Sequence, residues 1–134
     1  MGLFKKNDKQ TAVAFVDYEH WFYSYTNKFN MSPNVDEWYN EICSEYKLEN
    51  LYFYGDFNNR VIGPELEKLS KYTRNVIHTA SMKDGVDKDF TDFIILDAIY
   101  REAAKKKSPD VFIIFTGDGH FDLSLIHISE PTRL

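Results

Sequence analysis

The chain has 134 residues with a net charge of −5, 43% hydrophobic and 16% aromatic residues, enough apolar content for one packed domain and too much for disorder. Its single cysteine, Cys43, excludes a disulfide framework and a thiolate metal cluster, which points to a reducing, cytoplasmic setting. The opening MGLFKKNDKQ lacks the apolar stretch of a signal peptide, and no apolar run is long enough to span a membrane. An acidic balance argues against a polyanionic partner unless a bound cation offsets the aspartates locally.

Residues 1–10 read as a flexible basic tail. TAVAFV (residues 11–16) is a short apolar run ending at Asp17, as expected of a strand buried on both faces. YEHWFYSYTNKF (18–29) reads as a helix, broken by MSPN at 31–34. Pro33, followed by Asp36 and Glu37, opens a second helix reaching about Tyr46. LYFY (51–54) is a second strand closed by GDFNN, residues 64–72 form a helix, and residues 75–78 a third strand. The longest helical pattern covers 86–106, and VFIIF (111–115) is a fourth buried strand. Strands alternating with helices predict an α/β, Rossmann-like three-layer fold with a parallel sheet of about four strands and right-handed crossovers. Ligands of such sheets bind beyond the carboxyl ends of the strands, where the strand order reverses.

Asp17 directly follows the first strand and Asp118, in FTGDGHFD, follows the fourth; the two ends meet if those strands are neighbours. Either aspartate could instead cap a turn or helix. In KDGVDKDFTDFIILDAIY (83–100), Asp87 and Asp89 suit a first helical turn, where the dipole favours carboxylates. Asp92, three residues after Asp89, shares its side of the helix and is a poor interior helix former. Asp97 falls in the apolar sector of Phe90 and Phe93, which predicts a buried hydrogen-bonding strut. Oxygen ligands without cysteine suit Mg²⁺ or Mn²⁺, which lowers the pKa of a water it binds and stabilises the charge of phosphodiester cleavage. An aspartyl-phosphate mechanism at Asp17 is disfavoured, because Asp17-Tyr18-Glu19 lacks the second aspartate such loops supply.

AVAFVDYEHW, KDGVDKDFTDF and FIIFTGDGHFD, in that order, resemble the three signature blocks of the NYN family within the PIN-like nucleases. The likeness is closest to NYN-domain proteins of Gram-positive bacteria and covers residues 11–122. It implies a metal-dependent ribonuclease with RNA as substrate, Mg²⁺ or Mn²⁺ as cofactor, and Asp17, Asp92 and Asp118 as its metal-binding, catalytic acids. Two positions depart from the pattern. His20 stands where the first block commonly has Asn, and His120 where the last block often has Asp. These imidazoles either bind a softer ion such as Mn²⁺ and hold the attacking water, or mark a weakened site, in which case the domain is an RNA-binding regulatory module. Asp122 is the candidate replacement acid.

Around this set, Tyr18 is expected at the surface beside Asp17 as a substrate contact, with Lys83, Lys88 and Arg60 as phosphate contacts. The rings at 21–25 are read mainly as core, although such rings can also stack on unpaired bases. The three lysines at 105–107 suit a helix C-terminus. A homo-oligomer is compatible with the sequence; a membrane partner is not expected. LSLIHISEPTR (123–133) matches, residue for residue, the translation of a transposase-type sequencing adapter. The natural domain is therefore expected to run over 11–122 and to lack its last helix and strand, with the tail packing as helix if it packs at all.

Overall fold

Thr11 to Asp17 forms β1, and every residue from Ala12 to Val16 is buried, because both faces of this strand carry helices. The computed structural model describes residues 9–79, 89–115 and 123–127, with side chains for 9–79 and 93–115. The elements after β1 are α1 (Tyr18–Phe29), α2 (Val35–Glu45), β2 (Lys47–Gly55), α3 (Glu65–Leu69), β3 (Val76–His78), α4 (Asp89–Ala103), β4 (Val111–Phe115) and β5 (Leu123–His127). The sheet runs β3-β2-β1-β4-β5. Strands β1 to β4 are all parallel, and β5 pairs antiparallel with β4. This is an α/β sheet of the Rossmann-like, three-layer kind.

Alternation along the strands divides the core in two. Ala12, Ala14, Val16, Leu51, Phe53, Ile113 and Phe115 face α1, α2 and α3, where Trp21, Phe22, Trp38, Ile42 and Leu69 pack on them. Val13, Phe15, Tyr54 and Phe112 face the other way, onto Ile95 and Ile99 of α4. Helix α1 starts at Asp17 and ends at Asn30, whose left-handed φ of 55° stops the helix while its N–H reaches the Thr26 carbonyl. Helix α2 is capped by Asn34, which accepts from the Glu37 N–H at 3.0 Å.

Several expectations change. Strand β2 begins at Lys47, four residues earlier than its apolar run, since KLEN pairs along β1 with a register shift between Ala12 and Val13. Helix α3 covers only Glu65–Leu69, and α4 ends at Ala103, before the lysines. Residues 123–127 form an edge strand rather than a helix, because the free edge of β4 offers unpaired backbone groups to any extended segment. Asp97 is not a buried strut. Its side chain is 62% exposed and pairs with Arg101 at 2.9 Å, and Phe93 in the same sector is exposed as well. That sector looks outward because it is Ile95 and Ile99, on another side of α4, that pack on the sheet.

Tyr52, on the α4 side of β2, donates to Glu102 Oε2 at 2.9 Å. Burial, and then this carboxylate partner, push its pKa up to about 12. An unfolded tyrosine loses its proton near pH 10. Between about pH 10 and 12 the unfolded chain therefore holds fewer protons than the folded one, and stability falls as pH rises through that window. Urea midpoints are expected to decline above about pH 10, less steeply in Tyr52→Phe. An unchanged midpoint up to pH 12 would contradict this assignment.

Candidate active site

The strand order reverses between β1 and β4. From β1 the chain moves outward through β2 to β3, then crosses back over α4 to place β4 on the other side of β1. The two carboxyl ends flanking that reversal are Asp17, the last residue of β1, and Phe115, the last of β4; Val16 lies in register with Phe115. The adjacency expected of the first and fourth strands is thus present, at the position where this class of sheet binds ligands.

Asp17 is half-buried and caps α1, its Oδ1 accepting from the His20 N–H at 3.2 Å. The capping role expected of an aspartate at this position is therefore present. His20 is exposed on the same helical turn. Glu19, between the core-facing Tyr18 and exposed His20, reaches sideways to β2, where its Oε1 accepts the Asp56 N–H at 2.9 Å. This close approach depends on Gly55, since a Cβ there would meet the Phe57 ring at 3.1 Å and Glu19 Cβ at 3.3 Å.

Tyr18 corrects an expectation. Its ring is fully buried among Trp21, Phe22, Phe53 and Phe57, so it presents no surface for substrate. As the first residue of α1 it turns inward from Asp17, and its hydroxyl donates to Glu65 Oε1 at 2.6 Å. Glu65 is itself buried and also meets Lys68 at 3.1 Å. Burial first, and then the Glu65 carboxylate, drive the Tyr18 pKa far above the ordinary tyrosine value. The bond joins residues 47 apart, and Glu65 reads in the sequence only as an acid at a helix start.

No protein-family model, curated protein or solved structure matches this chain.

The other predicted residues divide into two groups. Asp92 lies in α4, three residues after its first residue, with its side chain outside the described set. Asp118, His120, Asp122, Lys83 and Lys88 lie outside the described residues. Among the described residues no group of three His, Cys, Asp or Glu side chains is placed to hold a metal ion. Of the acids predicted to bind metal, Asp17 alone is described with its side chain. Its chemistry, a half-exposed carboxylate at a strand end, is that of a hard-cation ligand. Arg60 is exposed at the tip of the loop that follows β2. Glu19, two residues after Asp17, and Glu65, bonded to the Tyr18 hydroxyl, are acids that sequence reasoning left without a role. Among the described residues no helix is long and apolar enough to cross a membrane.

Proposed function

We propose that the chain is a metal-dependent ribonuclease, hydrolysing phosphodiester bonds of single-stranded RNA with Mg²⁺ or Mn²⁺ at an acidic crevice. The observation that carries this reading is the reversal of strand order between β1 and β4, with Asp17 at its mouth. In the sequence Asp118 follows Phe115 by three residues, a reach of at most about 11 Å of chain. Asp17, Asp92 and Asp118 would hold the cation, with Asp122 as a fourth acid. When bound, the ion would supply charge neutralisation and activation of a water for in-line attack. His20, exposed on the same turn as Asp17, would serve as the proton-transfer group beside the attacking water. The ordered sequence blocks at 12–21, 83–93 and 112–122 support the same reading, and the compartment would be the cytoplasm.

Cleavage of a labelled single-stranded RNA should require Mg²⁺ or Mn²⁺ and stop on chelation. A second reading rests on His20, an imidazole where an oxygen ligand is expected. In that case the domain is an RNA-binding regulatory module without turnover. RNA binding that persists in chelator, with no cleavage under any divalent ion, would establish that module and remove the nuclease.

A further inference from the structure

The loop after β2, residues 56–63, is a built structure rather than a slack connection. Phe57 and Ile62 are buried beneath it, 5% and 0% exposed, and the Phe57 ring lies between Tyr18 and His78. Asp56 Oδ1 accepts from the Asn58 N–H at 3.2 Å, and Asn59 Oδ1 from the Val61 N–H at 2.9 Å. The Gly63 N–H closes the loop on the Asn59 carbonyl at 2.8 Å. A Cβ at Gly63 would stand 3.0 Å from that same oxygen, so a larger residue there would push the turn open by a few tenths of an ångström. Asn58, Asn59, Arg60 and Val61 are left exposed at the tip.

Two side chains of the first turn of α1 meet the loop: Tyr18, whose ring stacks on Phe57, and Glu19. Glu19, two residues after Asp17, accepts the N–H of Asp56, the loop's first residue. The helical turn that carries Asp17 therefore also holds the base of the loop that carries Arg60. On a chain of net charge −5, an exposed cation on a loop tied to that turn matters to a polyanion, because affinity for a phosphate backbone comes from such contacts.

We infer that Glu19 is a positioning residue: its carboxylate fastens the 56–63 loop against the first turn of α1 and so holds Arg60 as a phosphate contact for single-stranded RNA. This rests on the RNA reading above and adds a residue and a surface to it. The sign of the effect separates it from simple electrostatics. Glu19 is an anion near a site for RNA, so its removal would tighten binding if charge were its only role. As a positioning residue, its removal weakens binding.

The test measures binding of a single-stranded oligonucleotide across a salt series for the wild type, Arg60→Ala, Glu19→Ala, Glu19→Gln and the double variant Glu19→Ala/Arg60→Ala. Arg60→Ala is expected to lower affinity several-fold and to reduce the salt slope by about 0.7, the value of one single-strand phosphate contact. Glu19→Ala should lose affinity and slope in the same direction. The double variant should fall no further than Arg60→Ala, the signature of two residues acting through one contact. Glu19→Gln keeps an oxygen acceptor for the Asp56 N–H and should bind at least as tightly as the wild type. Where cleavage is measured, the loss should appear in KM and not in kcat. Tighter binding by Glu19→Ala, or additive losses in the double variant, overturns the inference and leaves the RNA reading standing. Absence of RNA binding by the wild type overturns both.

Discussion

Under the proposed function, Asp17→Asn should cut RNA cleavage by at least about a hundredfold, the scale of losing one preorganised charge-stabilising group. The fold should be untouched. Asn ranks with Asp as an N-cap, so the acceptor for the His20 N–H is retained and the start of α1 is held as before. What changes is the charge: a neutral amide oxygen replaces a carboxylate that a hard divalent cation prefers. Asp118→Asn should behave in the same way if both acids serve one ion, and the two losses together should be much less than additive, as for residues that act as a unit. Initial rates under Mg²⁺ and Mn²⁺, beside far-UV circular dichroism, decide the matter. A folded Asp17→Asn protein that cleaves at the wild-type rate would leave Asp17 a cap and nothing more.

Phe115→Ala should cost about 3–5 kcal/mol, the range for emptying a buried aromatic site. Phe115 is 1% exposed, its ring centroid 4.7 Å from Trp21 in an edge-on contact and 5.6 Å from Trp38. These are the only two tryptophans of the chain, so their emission reports directly on the packing around this ring. Against a total stability of about 5–15 kcal/mol, the loss is a large fraction. It should appear as a lower urea midpoint with a changed tryptophan spectrum of the folded state. Because Phe115 ends β4, the same change should loosen the lip of the crevice. A loss below about 1 kcal/mol would mean that the cluster relaxes to fill the space.

Some of this architecture was plain in the residues, for identifiable reasons. VFIIF and YEHWFYSYTNKF have the bounds that β4 and α1 adopt, because a short apolar run between turn residues and an aromatic-rich stretch after a capping aspartate have little else to become. The first half of β2 was not legible, since KLEN alternates exposed with half-buried residues and has no apolar run. The failures at Tyr18 and Asp97 share a cause. In sequence each takes its expected place from a neighbour, Tyr18 from Asp17 and Asp97 from Phe93, whereas the facing of a helical residue is set by what packs against that side. For Tyr18 the deciding partner is Glu65, distant in sequence. For Asp97 it is solvent, since the outer side of α4 leaves Phe93, Leu96 and Tyr100 exposed. At the site, the strand-end rule locates Asp17 and the reversal beside β4, but nothing in the pattern marks Glu19 as a tie between α1 and the loop after β2.

The central position of β1 also sets an order in time. Asp17 acquires its cap across three residues of chain, a closure that a nascent helix can make as soon as α1 has been synthesised. The crevice beside it waits for β4, and the bonds joining Thr11 to Asp110 at the start of that pairing span 99 residues. Closing so long a loop is slow and comes late in folding. A chain still emerging from the ribosome would carry the acidic cap well before it had a crevice, and any activity would switch on only with the return of the chain to its first strand.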